Sequence, residues 1–258
     1  MKILIIGDIY SNSGRLMVEK YVPKVKEMYN INFIVANGEN IAHGNGINER
    51  YYRFLLEQKI NVVTLGNHAW GNSDIFNFIG SAKNLVRPLN MPEGTPGVGY
   101  VTVKYNQTTI TIFNVCGRTF INNALDCPFK ATEKLLKEVK SDIYICDFHG
   151  EATSEKIAFG YHFDGRVNII FGTHTHVQTN DARVLNNGTM YITDVGMTGA
   201  LDGVIGVEPS GIIKKFLTGM PVRHNPMEQG KKQFCALVVE INEKTHKVTN
   251  FDVINMVE

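Results

Sequence analysis

Neither sign of charge predominates in this chain: 26 Lys and Arg stand against 25 Asp and Glu, a formal net charge of +1. Without a basic surplus or a basic tail, a grip on long nucleic acids through their phosphates is not expected. Long apolar runs are missing too. The opening Met1-Lys2-Ile3-Leu4-Ile5-Ile6 ends at Gly7-Asp8, short of the roughly 18 residues of a spanning helix and of the roughly 7–15 of a secretory apolar stretch. A cytoplasmic protein with no membrane partner is the expectation. Cysteine is scarce. Cys116, Cys127, Cys146 and Cys235 form no C-x-x-C pair and no framework spacing, which fits reduced thiols. There is no repeat, low-complexity tract or Pro/Ser-rich linker, so residues 1–258 read as one domain. Three catalytic signatures are also absent: the G-x-x-x-x-G-K-[ST] phosphate loop, a G-x-G-x-x-G after the first strand, and the G-x-S-x-G elbow.

What is present is an ordinary globular composition, 43% hydrophobic, in an alternating pattern. Lys2–Ile6 reads as a buried strand, followed by a helix over about Gly14 to Met28 with Pro23 as an irregularity. Strands are predicted at 33–36, 61–65, 143–146, 167–171 and 190–193. Helices are predicted from an Asn48 cap to about Gln58, over 73–79, and over 130–139. Tyr100–Tyr105 with Thr109–Val115, and Gln233–Ile241 with Lys247–Ile254, read as hairpins. Alternating strands and helices imply parallel pairing, and the hairpins imply antiparallel strands at the edges. The fold class is therefore a mixed α/β sandwich.

Chemistry collects just after the predicted strands, where ligands sit in parallel α/β sheets. The first strand ends in Gly7-Asp8, the second in Gly38-Glu39-Asn40, the third in Gly66-Asn67-His68. Later ones run into His149-Gly150 and Gly172-Thr173-His174-Thr175-His176. Each group alone is compatible with a turn, a cap or a hydrogen-bonded core histidine. His174 and His176 are the stronger pair, because alternate strand residues point to one face. Five coincidences together point to a metal site. Carboxylates, imidazoles and amides form a hard-to-borderline donor set suited to Mn, Fe, Zn or Co, with enough ligands for two ions. Cys116 and Cys146 read as core residues and Gly44-Asn45-Gly46 as a flexible loop.

These ordered blocks resemble the calcineurin-like metallophosphoesterase superfamily, whose usual pattern is Asp-x-His, Gly-Asp, Gly-Asn-His, a single His and Gly-His-x-His. Tyr10 stands where the first-block His would be and Glu39 where the second-block Asp would be. Thr173 separates Gly172 from the last His pair. Those departures resemble the narrower bacterial YmdB-type phosphodiesterases over nearly the whole chain. The resemblance implies an α/β/β/α sandwich and a centre of two divalent or mixed-valence metal ions, of the iron or manganese type. It also implies hydrolysis of small cyclic nucleotides such as 2′,3′-cyclic AMP and a homo-oligomer. Carried over by position, Asp8 and His176 belong to the first metal with Asn40 near it. Glu39 bridges, and Asn67, His149 and His174 complete the second. Tyr10, Asn40 or water would fill the place of the missing first-block His.

The implied chemistry is in-line attack by a hydroxide shared between the metals, with His68 as general acid for the leaving alkoxide. Neutral imidazole and amide ligands leave the dications undercompensated, so the pull on phosphate comes with the metals. A phosphomonoesterase, another phosphodiesterase acting on short RNA ends, and a regulatory metal- or nucleotide-binding protein with little turnover stay open as alternatives. Arg118, Asn122, Asp194, Asp202, Arg223 and His224 are unranked candidates for substrate contacts.

Overall fold

The computed structural model describes residues 1–258. Its first half contains β1 (Lys2–Ile6), β2 (Asp8–Ile9), α1 (Ser11–Tyr29), β3 (Phe33–Asn37), α2 (Glu49–Glu57), β4 (Val62–Thr64), α3 (Ile75–Phe78), β5 (Leu85–Val86), β6 (Tyr100–Tyr105) and β7 (Thr108–Cys116). There follow α4 (Pro128–Glu138), β8 (Ile143–His149), α5 (Thr153–Phe163), β9 (Ile169–Thr173), β10 (Arg183–Val184), β11 (Met190–Ile192) and β12 (Met197–Ala200). The chain closes with α6 (Pro209–Thr218), β13 (Lys232–Ile241) and β14 (Val248–Val257).

The strands form two sheets, one of eight strands running β2-β12-β13-β1-β3-β4-β5 with β14 beside β13, the other of six running β10-β11-β9-β8-β7-β6. Strand periodicity explains their stacking. In β1, Ile3 and Ile5 face the second sheet, while Leu4 and Ile6 face the helices. Ile110, Ile112, Ile143, Ile145, Ile169 and Phe171 meet them from the opposing sheet. The outer face of the first sheet is covered by α1, α2 and α3 through Met17, Val22, Leu55 and Phe78. The second is covered by α4 and α5 through Leu135, Phe159 and Phe163. The layer order is the expected α/β/β/α. Each fully buried Ile in the middle layer contributes about 1.5–3 kcal/mol of transfer free energy.

Several expectations shift. Helix α1 passes through Pro23 from Ser11 to Tyr29 without a break. The second hairpin is not at an edge as a unit: β13 is interior, antiparallel to both β1 and β14, and only β14 is peripheral. Helices α5 and α6 add to the expected set. In α5 the buried positions include Lys156, Phe159, Gly160 and Phe163, and the polar Lys masks the apolar period. Asn48 does cap α2, its side chain accepting from the Tyr51 N–H at 2.9 Å. All four cysteines are free; Cys116 and Cys146 are fully buried, and burial raises both thiols well above their usual range. No helix is long and apolar enough to cross a membrane.

Ile145 lies on β8 in the centre of the middle layer, with no exposed surface. Ile145→Ala is expected to cost about 2–5 kcal/mol, combining lost transfer energy with a cavity that neighbours fill only in part. Urea unfolding followed by circular dichroism measures it.

Candidate metal centre

The inner faces of the sandwich change character toward one end. Reading every second residue, β3 runs Phe33, Val35, Asn37 and β4 runs Val62, Thr64. Strand β8 runs Ile143, Ile145, Asp147, His149, and β9 runs Ile169, Phe171, Thr173. The parallel pairings β3–β4, β7–β8 and β8–β9 keep these polar ends level. A dry apolar seam thus opens into a buried polar one at the carboxyl ends of the strands, where Asp8, Glu39 and His149 are all 0–1% exposed.

Around the Nε2 of His149 stand Asn67 Oδ1 at 2.9 Å, His174 Nδ1 at 3.0 Å and Glu39 Oε1 at 3.1 Å. Glu39, His149 and His174 each offer a ligand atom, all within 4.8 Å of one another. Beside them lies a second group. Asn40 Nδ2 is 3.3 Å from Glu39 Oε1 and 3.1 Å from His176 Nε2, and His176 Nε2 is 3.9 Å from Asp8 Oδ1. Asp8 Oδ2 accepts the His174 backbone N–H at 3.1 Å, but the buried Asp8 Oδ1 has no hydrogen-bond partner. A carboxylate oxygen buried without a donor is costly unless a cation satisfies it. The orphaned oxygen and the O/N donor set both fit a metal.

All seven predicted metal-ligand positions therefore converge, with Glu39 touching both groups. The reason given for the histidine pair does not hold. Strand β9 ends at Thr173, and His174 and His176 lie beyond it with φ of 101° and 65°. Left-handed backbone on either side of Thr175, not strand alternation, turns both imidazoles inward. The Asp194 carboxylate supports this loop, accepting from the Thr175 N–H at 3.1 Å and its hydroxyl at 2.8 Å. Asp194 is in turn paired with the buried Lys156 at 2.9 Å, so it is committed to structure and is removed from the candidate substrate contacts.

Tyr10, in place of the usual first-block His, lies edge-on to His176 with ring centroids 5.5 Å apart. Its ring is hemmed by the backbone at Gly44 and Gly206, and burial raises its phenol above the usual range. Its ring forms one wall of the second group. His68 sits at the rim, its side chain 47% exposed. Its backbone N–H donates to Glu39 Oε2 at 3.0 Å, and its Nδ1 lies 3.1 Å from Asn40 Oδ1. With Nδ1 so engaged, the ring's other nitrogen is free to meet a substrate. The rim continues through the segment after β7. The Gly117 N–H donates to the His149 carbonyl, the Arg118 and Thr119 N–H groups to Glu155, and Asn123 Nδ2 to the Asn67 carbonyl.

The electrostatics favour positive charge. Burial pulls the His149 imidazole down, but Glu39, Asp8 and Asp147 outweigh it and push its pKa up to about 9. Burial works against Glu39 as well, yet His149 and His68 bring it down to about 2. Burial, then the neighbouring His149, holds His174 down at about 3, a neutral ligand-ready ring. For Asp8, burial followed by the repulsion of Asp194 and Glu39 outweighs the histidines and raises it. Asp147, buried between the sheets, is raised to about 6.

The family model described as YmdB-like protein matches residues 4–254. The chain belongs to this family. A protein of Bacillus subtilis (strain 168) named 2′,3′-cyclic-nucleotide 2′-phosphodiesterase is 48% identical over 254 residues, covering 98% of this chain and 96% of that one. A crystal structure of a hypothetical protein from Thermus thermophilus superposes with a TM-score of 0.94 at 39% identity, covering all of both chains. One of a Mycoplasma pneumoniae protein described as a novel phosphatase gives 0.96 at 34%, covering 100% of this chain and 93% of that one.

Sequence reading did not find Asp147, Lys156 or Glu155 as supports. For Asp147 a signal existed, the period-two continuation of Ile143 and Ile145 through Asp147 to His149. Gly66 shows how tightly the pocket is closed: a Cβ there would collide with Glu39 Oε2 and with the His149 ring at Cδ2. Gly66→Ala is therefore expected to lower bound metal to less than half that of the native protein while far-ultraviolet circular dichroism stays native. Elemental analysis after metal loading reads the change.

Proposed function

We propose that the protein is a metal-dependent phosphodiesterase acting on small cyclic nucleotides of the 2′,3′-cyclic type. The observation that carries this reading is the convergence of Asp8, Glu39, Asn40, Asn67, His149, His174 and His176 on one buried polar seam, with His68 half-exposed at its mouth. The name of the Bacillus relative supports the substrate class. Two metal ions, iron or manganese in type, would be held by Asp8, His176 and Asn40 on one side and by Asn67, His149 and His174 on the other, with Glu39 between. When bound, they supply Lewis acidity toward the phosphate and a water made acidic enough to attack at neutral pH.

The chain's own groups do the rest. With the second proton of His149 displaced by a cation, His149 and His174 present neutral nitrogens and Asn40 and Asn67 uncharged amides, so Asp8 and Glu39 only partly offset the cations and the pocket keeps an attraction for anions. His68 is the general acid. Its Nδ1–H donates to Asn40 Oδ1, and in the imidazolium form the other ring nitrogen also carries a proton, the one given to the departing ribose oxygen, leaving the ring neutral. That step is worth typically about 10²–10⁴-fold. The near-neutral chain suits a small ester or a short RNA end better than a long polynucleotide. The same reading includes a cytoplasmic location, in keeping with the free cysteines, and self-association.

His68→Ala is expected to lower kcat on 2′,3′-cyclic AMP by about 10²–10⁴-fold while retaining bound metal, because its side chain is not in the ligand set. A steady-state assay with elemental analysis of the same samples tests this. Equal turnover in variant and parent, with metal loaded in both, overturns the role of His68. Faster hydrolysis of a phosphomonoester than of any cyclic nucleotide overturns the substrate class.

A further inference from the structure

The residue that interrupts the superfamily's last block, Thr173, sits where two buried charges and a metal-site histidine meet. Its hydroxyl oxygen is 2.6 Å from Asp147 Oδ1 and 2.8 Å from His149 Nδ1. Its carbonyl oxygen accepts from Lys156 Nζ at 2.7 Å, and that ammonium is itself held by Asp194 Oδ2 at 2.9 Å. All five residues are buried, none more than 1% exposed. The other Asp147 oxygen, Oδ2, accepts from Asn37 Nδ2 at 3.0 Å and from the Thr64 hydroxyl.

We propose that Thr173 is a positioning residue that fixes the tautomer and aim of His149. This rests on His149 being a metal ligand, as proposed above. A threonine hydroxyl has one hydrogen. A carboxylate only accepts, so that hydrogen goes to Asp147 and the hydroxyl can only accept from the imidazole. His149 Nδ1 must then keep its proton, so the proton that a bound cation displaces from the otherwise cationic ring is the one on Nε2. Nε2 is the nitrogen that faces Glu39, Asn67 and His174. The polarity of the chain Asp147–Thr173–His149 is set from its far end, since Asn37 and Thr64 on the opposite sheet occupy Oδ2 and turn Oδ1 toward Thr173. Lys156 fixes the same residue from its backbone side, so the hydroxyl cannot drift with the loop that follows. A glycine here would continue the strand but offer no hydroxyl acceptor. Outer partners of this kind commonly tune metal affinity by about 10–100-fold.

The test uses the full chain and metal ions alone. Mn(II) and Zn(II) affinities are measured by titration of the native protein, Thr173→Ser, Thr173→Val and Asp147→Asn, with circular dichroism as the folding control. Thr173→Ser keeps the hydroxyl and is expected to bind within about threefold of native. Thr173→Val, nearly isosteric but unable to accept, is expected to weaken binding by about 10–100-fold. Asp147→Asn goes further. Its amide oxygen is retained by Asn37 and Thr64, so its NH₂ faces Thr173 and turns the hydroxyl hydrogen toward His149 Nδ1. That favours the proton on Nε2 and a loss at least as large. With the hydroxyl removed the reversal has no route, so the two losses do not add in the double variant.

A second readout is spectroscopic. In the Zn(II)-loaded protein with ¹⁵N-labelled histidine, a slowly exchanging downfield Nδ1–H of His149 is expected in the native protein and Thr173→Ser, and lost in Thr173→Val. Should Thr173→Val fail to fold, Asp147→Asn and the native resonance decide the matter. Native-like affinity and an unchanged Nδ1–H in Thr173→Val, or native affinity in Asp147→Asn, overturn the positioning role while leaving the metal site intact. A native protein that binds neither ion overturns the metal reading and this proposal together.

Discussion

One carboxylate belongs to both sheets. Asp147 rises from β8 but takes its hydrogen bonds from Asn37 and Thr64 across the seam as well as from Thr173 beside it. The sandwich could have closed over this end with more isoleucine at lower cost, since a buried carboxylate carries a desolvation penalty that apolar packing avoids. Placing a fully satisfied carboxylate there ties the relative position of the two sheets to directional bonds rather than to non-directional packing. The ligand groups arrive from both sides of that junction, Glu39, Asn40 and Asn67 from the first sheet and His149, His174 and His176 from the second. Their separations are therefore as fixed as the junction itself.

Charge is the complementary constraint. Asp8, Glu39, Asp147 and Asp194 are all buried, and Lys156 is the one buried lysine among them. Asp194 and Lys156 neutralise each other, and Asp147 is dressed by neutral donors. Asp8 and Glu39 are left facing the histidines, which is why His149 holds a proton so firmly in this arrangement. Four buried acids against one buried lysine leave the remaining side chains at a formal +4 within the chain's +1, so the negative charge of the molecule is concentrated in its interior.

Much of this was legible in the sequence. A mixed α/β sandwich followed from alternating strands and helices, and the clustering of polar groups followed from their standing just past strand ends, because parallel strands deliver their carboxyl ends to one edge. The layer order and the assignment of seven ligand positions came from the resemblance. The rest was lost for physical reasons. The geometry of His174 and His176 depends on two left-handed residues that are not glycine, a conformation no local pattern announces. Lys156 reads as a surface residue until its partner, 38 positions away, is known. Asp147 looks like part of a turn because a charged residue ordinarily ends a buried strand, whereas here the strand continues through it to His149. Thr173 stands out in the sequence only as a departure from a pattern. What it does becomes visible when three distant segments are brought within hydrogen-bonding distance.

The pairing of β1 with β13 carries a consequence for the order in which the molecule comes into being. Lys2–Ile6 has Ala236–Glu240 as its antiparallel neighbour, 230 to 238 positions further along the chain. Asp8 follows directly on β1, and the Gly7 N–H bonds to the Cys235 carbonyl. Contacts so far apart in the chain are slow to form, because the closure entropy must be met before they stabilise anything. The nascent chain can assemble the second sheet with its α4 and α5 cover, but the first sheet must wait for its central strand. The groups that converge from both sheets therefore reach their final separations only once this long-range pairing has formed.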